Sequence, residues 1–376
     1  MTRSFIFSIS LLAHCVAFNN NINFALHPKM IIQSCRMARN FRSNCCRTFF
    51  TTKKCIMKAV QTDGADADQS CSMEDFIDPA VERFSGIKRL YGSSSLERLR
   101  NAHVCVVGLG GVGSWVAESC ARSGIGKITL VDLDEVCISN INRQLCALDS
   151  TVGRPKAEVL RARILDINPE CNVSCVLQFL RRENALSILS GMDGDEGIEP
   201  QRTNCSFDFV VDAIDSVDDK AALISACTFL KVPIITSGGA GGLTDPTAIR
   251  SEELTKVEDD ELLFHVRKKL RQFYGFPQGL PHRKRNVCRV KPWKIQAVYS
   301  SEKPIQTLVE EAASQGFRSC DFSMGTSAMV TGSFGLAMGS FIVKSIALGT
   351  NFPPNVQLAN ATGSPRRGLR LQEQID

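Results

Sequence analysis

His103-Val-Cys-Val-Val-Gly108-Leu-Gly110-Gly111-Val-Gly113, the residues 114–123 and then Lys127-Ile-Thr-Leu-Val-Asp132 are the stretch whose reading decides the fold. The first run is apolar, unbroken and short, as a buried strand requires. The glycines allow a tight turn that brings backbone close to a phosphate. Residues 114–123 have helical spacing, and a helix N-terminus offers unpaired N–H groups to an anion. The second apolar run ends in an acid. Strand, glycine turn, helix, strand, acid is the opening βαβ unit of a nucleotide-binding α/β sheet.

Outward from there the pattern repeats. Ala157, Leu160, Ile164 and Leu165 recur at helical spacing within 155–166. Residues 172–179 read as a third strand, 190–206 as a polar surface loop and 207–212 as a fourth strand running into Asp212-Ala-Ile-Asp215. A helix over 218–230, a fifth strand over 232–236 and a second glycine turn over 238–242 come next. Alternating β and α elements imply a Rossmann-like fold: one mainly parallel sheet with helices on both faces. A C-terminal apolar helix is expected within 324–348. Its small residues and Lys344 favour a buried or dimer-interface helix over a membrane span, so no stable membrane insertion is expected.

A GxGxxG turn alone serves NAD as well as ATP, and Asp132 suits the ribose of either nucleotide. The residues just downstream separate the two: Asp134, Asn140, Arg143-Gln144 and Gly153-Arg-Pro-Lys156 cluster there. Arg143 and Lys156 suit neutralisation of a triphosphate. Asp215, beyond the fourth strand, falls at the mouth where such sheets bind ligands, and a carboxylate there suits Mg2+ bridging phosphates. Taken singly, these residues also read as surface cations or a helix N-cap. Their joint spacing points to ATP.

With Ser139-Asn-Ile-Asn-Arg-Gln144, Val152-Gly-Arg-Pro-Lys-Ala-Glu158 and Ile167-Asn-Pro-Glu170, the glycine turn resembles the adenylating domain of the ubiquitin-activating-enzyme superfamily, which includes the ThiF- and MoeB-type enzymes. Arg83-Phe-Ser-Gly-Ile-Lys-Arg89-Leu-Tyr-Gly92, Asp212-Ala-Ile-Asp-Ser-Val217 and the Gly-rich run from Ser237 to Thr247 resemble its TcdA branch, the tRNA threonylcarbamoyladenosine dehydratases. The resemblance spans roughly residues 80–335.

It implies that ATP adenylates the carboxylate of a threonylcarbamoyl group on the adenosine next to the tRNA anticodon. An internal nitrogen or oxygen then closes a ring and expels AMP, with net loss of water. By position, Gly108, Gly110, Gly111 and Gly113 would shape the phosphate turn. Asp132 would hold the ribose, with Asp134 assisting. Asn140, Arg143, Gln144 and Lys156 would orient the phosphates, and Asp215 would bind Mg2+. Arg143, Lys156 and Asp215 are the catalytic assignments. In a homodimer, Arg83 or Arg89 would reach the partner's ATP. Many bacterial relatives carry a Cys before the motif that is Val298-Tyr-Ser-Ser-Glu302 here. This chain has Ala297 there, which excludes a thiol intermediate at that position and leaves direct attack on the acyl-adenylate.

Charge is unevenly placed in the 376 residues, whose formal net is +5. Residues 1–62 hold nine Lys/Arg and no acid. An apolar run at 5–18 and then an Arg- and Ser-containing stretch read as a targeting leader. A mitochondrial or plastid destination is expected, or a cytoplasmic one if the true start is Met57 or Met73. Residues 63–79 read as a linker, 80–350 as the adenylating domain and 351–376 as a polar tail. Without the leader, 35 basic residues face 39 acidic ones, a net of −4. Against that background, 262–301 has no acid and ten cations: Arg267, Lys268, Lys269, Arg271, Arg283, Lys284, Arg285, Arg289, Lys291 and Lys294. This segment reads as a basic insert contacting tRNA phosphates, the alternative being a solvated positive face. The 16 cysteines include no Cys-x-x-Cys pair, which disfavours a structural zinc site; Cys105, Cys120 and Cys227 read as buried thiols.

Three other functions stay open. An adenylating enzyme for a ubiquitin-like or sulfur-carrier protein is the nearest; the missing Cys-x-x-Cys pairs and the basic segment count against it. A membrane-attached scaffold and an NAD-dependent dehydrogenase are the others. Whether a sulfur-transfer protein partner accompanies the chain is also open.

Overall fold

The computed structural model describes residues 79–190, 205–277, 291–305, 325–350, 353, 354 and 356. The leader, most of the 190–206 loop, Arg283, Lys284, Arg285, Arg289, Cys288 and Cys320 lie outside them.

Three short helices, α1 (Pro79–Arg83), α2 (Ser85–Tyr91) and α3 (Ser93–Asn101), lead into β1 (His103–Val107). Then come α4 (Gly113–Arg122), β2 (Lys127–Val131), α5 (Lys156–Ile167), β3 (Asn172–Val176), α6 (Ala185–Ser190), β4 (Phe209–Asp212) and α7 (Val217–Leu230). The chain continues through β5 (Ile234–Ser237), β6 (Ile249–Glu253), α8 (Glu261–Phe273), β7 (Gln296–Ser300) and α9 (Ala328–Ala347). The strands form one sheet in the order β3-β2-β1-β4-β5-β7-β6. All neighbours run parallel except β6, which lies antiparallel on β7 at one edge.

The inner strands are apolar at successive residues because both faces of the sheet are covered. Period-two alternation then sends neighbours to different cores. Val104 and Val106 of β1 and Val211 of β4 join the core that holds α4, α5 and α9. Cys105 and Val107 of β1 and Val210 of β4 join the core on the other face, with α6, α7 and α8.

α9 is long and apolar enough to cross a membrane. Yet Val330, Phe334, Met338 and Ile342, spaced four apart, are all fully buried, and the helix packs on α4. Contact is close because Gly339 has no side chain: a Cβ there would lie 1.9 Å from the hydroxyl oxygen of Ser119. The expected buried helix is observed.

Several sequence expectations need correction. β3 stops at Val176, since Leu177 and Phe179 turn out to solvent. β4 begins at Phe209, and β5 spans Ile234–Ser237. The larger correction concerns 262–301, which is no insert. It contains α8, packed against α7, and β7, an integral strand between β5 and β6. Arg267 lies on the buried face of α8 with Leu263, Val266 and Leu270 and donates to the carbonyl of Leu254 at 3.3 Å, so the ten cations do not form one exposed stripe. In the expected tail, Val356 packs against the second core.

Candidate active site

The strand order reverses between β1 and β4, which opens a crevice beyond their carboxyl ends. The glycine turn leaves β1 on one side of it. Gly108 has φ of +84°, and its N–H donates to the carbonyl of Val131 at 3.0 Å. A Cβ on Gly113 would sit 1.8 Å from the Gly108 carbonyl oxygen, so this position admits only glycine. Gly111 meets Thr331 of α9, where a Cβ would approach to 2.9 Å. A Cβ on Gly110 would meet only the Gln144 amide nitrogen, at 3.8 Å.

Asp132, one residue past β2, braces this turn. One carboxylate oxygen accepts the Leu109 N–H at 2.6 Å and the other the Asp134 N–H at 2.8 Å. Burial pushes its carboxyl above the usual carboxylate range; the two N–H bonds and the nearby Lys156 charge pull it back. Lys156 opens α5 with its side chain only 7% exposed, and its ammonium pairs with Asp134 at 2.8 Å. The backbone repeats the link, since the Lys156 N–H donates to the Asp134 carbonyl. The segment between these two residues carries the remaining polar groups. Asn140 is buried, and its side-chain oxygen accepts the Cys137 N–H at 3.0 Å. Arg143 donates to the Ser139 carbonyl at 2.7 Å, and its own carbonyl accepts from the Thr331 hydroxyl. Gln144 is buried beside Gly110.

Across the crevice, the Ala213 N–H donates to the Val107 carbonyl, and Asp215 lies two residues later. Asp215 is exposed and makes no hydrogen bond among the described residues. The turn glycines, Asp132, Asp134, Asn140, Arg143, Gln144, Lys156 and Asp215 thus gather at one mouth. Among the described residues no three acidic, His or Cys side chains cluster as a metal cage. A single free carboxylate fits Mg2+, which keeps its waters and takes substrate phosphates for its other ligands. The two candidate arginines are not part of the mouth. Arg83 is tied to the Ile167 carbonyl at 2.7 Å, whereas Arg89 is exposed with no partner among the described residues.

Sequence reasoning missed a second layer beneath the mouth. Asp212 and Lys220 are both fully buried and paired at 3.0 Å, and Thr236 donates its hydroxyl to Asp212 at 2.7 Å. Asp260 caps α8 through the Leu263 N–H and also accepts the Gly239 N–H at 2.9 Å. Glu302 accepts the backbone N–H groups of Thr244 and Asp245. An acid at a strand end and a Lys one helical turn into the next helix were the only traces of the first pair. The expected buried thiols are observed: Cys105, Cys120 and Cys227 are fully buried, and burial pushes Cys120 up to about 12. Ala297 is buried in β7.

The ThiF family model matches residues 85–373. The chain belongs to the ThiF family. Within it, the chain is similar to the tRNA threonylcarbamoyladenosine dehydratase of Haemophilus influenzae, 42% identical over 271 residues, which cover 72% of this chain and 95% of that protein. The Escherichia coli protein of the same name is 39% identical over 267 residues, covering 70% and 93%. The crystal structure of Escherichia coli TcdA in complex with ATP matches with a TM-score of 0.59 and 39% identity, over 72% of this chain and 96% of that one. In this ThiF-family chain a glycine turn and an acid line one side of the mouth, and a second strand end faces them.

Proposed function

We propose that this protein is an ATP-dependent tRNA-modifying enzyme that dehydrates threonylcarbamoyladenosine next to the anticodon. One observation carries the reading: similarity over nearly the full length of bacterial dehydratases of that name, together with a mouth that gathers the matching residues. A carboxylate oxygen of the substrate attacks the α-phosphorus of ATP. The bond to pyrophosphate breaks, and a mixed anhydride with AMP forms. An internal nitrogen or oxygen attacks the activated carbonyl and AMP leaves with the former carboxylate oxygen. Adenylation is needed because oxide is a poor leaving group at neutral pH.

The turn at 108–113 offers backbone N–H groups to the phosphates. Asp132 meets the ribose with the lone pairs that its two N–H bonds leave free. Lys156, held by Asp134, and Arg143 neutralise charge that builds on the leaving pyrophosphate. Asp215 would hold Mg2+, which would supply charge stabilisation to the phosphates. In a homodimer we assign Arg89 to the partner's nucleotide, a reading supported by the engagement of Arg83 on α5.

For tRNA, the basic segment contributes Lys268, Lys269, Lys291 and Lys294 among the described residues. Lys269 pairs with Asp218 and lies 5.8 Å from the Phe273 ring centre. Beyond the segment, Arg181 pairs with Asp219 and lies 5.1 Å over Phe179, and Arg182 lies 5.6 Å over Tyr274. Cations and half-exposed rings therefore surround the first turn of α7, a few residues from Asp215. Such surfaces hold phosphates and stack unpaired bases. The leader-like N-terminus supports an organellar location. The test is nucleoside analysis of organellar tRNA from cells lacking the protein. Linear threonylcarbamoyladenosine should accumulate there; an unchanged content of the cyclic form would contradict the reading.

A further inference from the structure

The buried pair beneath the mouth presents no surface to a nucleotide, and it is a poor stabiliser. Removing two charges from water costs several kcal/mol per ion, and apolar replacements of such pairs are often neutral or stabilising. Lys220 and Asp212 have no exposed side-chain surface at all. Their value lies in what they hold. One oxygen of Asp212 accepts the Lys220 ammonium at 3.0 Å and the Ile214 N–H at 3.2 Å, which aims the segment that ends in Asp215. The other takes the Thr236 hydroxyl, at the register partner of Asp212 on β5. Two residues further on, Asp260 fills the space beside Gly238, where a Cβ would lie 2.1 Å from its carboxylate, and accepts the Gly239 N–H. The Lys220 charge also favours ionised Asp260, against the burial that pushes its carboxyl up.

We propose that Lys220 is a positioning residue for activation of the substrate carboxylate: with Asp212 and Asp260 it fixes the Asp215 loop and the 238–242 glycine turn as facing walls at the ends of adjacent strands. This rests on the proposed activity, because the carboxylate must meet the α-phosphate between those walls. The nucleotide turn at 108–113 has a brace of its own in Asp132, although Gly108 and Gly113 pack closely on Ala213 at the start of the Asp215 loop.

The test uses the full chain and the charge-neutral double variant Lys220→Met/Asp212→Asn, which removes the pair without orphaning either ion. ATP affinity measured without Mg2+ should stay within about threefold of wild type, while kcat for tRNA-dependent pyrophosphate release falls at least about 30-fold. Amide hydrogen exchange should rise at least about tenfold over 213–216 and 238–242 and rise less over 108–113, which Asp132 also holds. Asp260→Asn should give the same pattern over 238–242 alone, and it decides the matter if the double variant does not fold. Wild-type kcat with unchanged exchange would overturn the proposal. So would a parallel fall of Tm, ATP affinity and kcat, which marks a purely structural pair. If wild type itself releases no pyrophosphate with modified tRNA, the activity reading fails, and the exchange pattern alone decides the role of Lys220.

Discussion

Replacing Asp132 by Asn removes a charge and almost no volume, so it tests what the carboxylate does for the phosphate turn and for the ribose together. Two N–H donors converge on it, Leu109 at 2.6 Å and Asp134 at 2.8 Å. A hydrogen bond to a charged group contributes about 1.5–3 kcal/mol net, and a neutral one about 0.5–1.5 kcal/mol. An amide keeps one acceptor oxygen and turns an NH2 toward the other donor. The turn therefore loses roughly 2–4 kcal/mol of hydrogen bonding. Burial acts in the opposite sense, because it pushes the Asp132 carboxyl up and a neutral amide is easier to bury. The two effects partly cancel in global stability, so Tm should move by no more than about 4 °C. The deficit stays local, at the Leu109 N–H inside the turn. ATP affinity should fall about 10- to 100-fold, or roughly 1.4–2.8 kcal/mol. Calorimetric titration of ATP into the variant, with a thermal melt beside it, measures both. A folded variant that binds ATP within about threefold of wild type would refute the reasoning.

Other substitutions probe other links. Gly113→Ala places a methyl 1.8 Å from the Gly108 carbonyl oxygen, so the turn must open; ATP binding should be lost in a titration while circular dichroism stays near wild type. Phe334→Ala empties a fully buried site between α9 and the sheet and should destabilise by about 3–5 kcal/mol in urea unfolding. Glu302 is held below the usual carboxylate range by the N–H of Asp245 first, then by Thr244. A depressed carboxylate stabilises the fold above its unfolded value of about 4.3, and that contribution disappears as pH falls through the lowered pKa. The Tm difference between wild type and Glu302→Gln should be constant near neutral pH and close as the solution is acidified below about pH 4.

The βαβ opening was legible because its signals are local: an apolar run, glycines and an acid within thirty residues. The residues proposed to hold nucleotide were readable for the same reason, since Asp132 through Lys156 lie along one connection. What escaped depends on contacts distant in sequence. β6, Ile-Arg-Ser-Glu-Glu, carries no apolar pattern because it is an exposed edge strand, so nothing marked it. Asp212 and Lys220 look like a strand end and a surface cation until the helix folds back over the sheet. The basic segment misled for a related reason. Charge summed along the chain ignores helix phase, and that phase turns Arg267 into the core while Lys268 points out. Arg83 and Arg89 were indistinguishable by spacing. In the structure they differ in that Arg83 donates to the Ile167 carbonyl of α5, a contact distant in sequence.

The most direct measurement is pyrophosphate release by the purified chain with ATP and three substrates: tRNA carrying threonylcarbamoyladenosine, the same tRNA unmodified, and no tRNA. Release is expected with the modified tRNA alone, matched mole for mole by AMP and by loss of one water from the nucleoside in mass spectrometry. Equal release in all three, or release without that loss of water, would contradict the proposed dehydration.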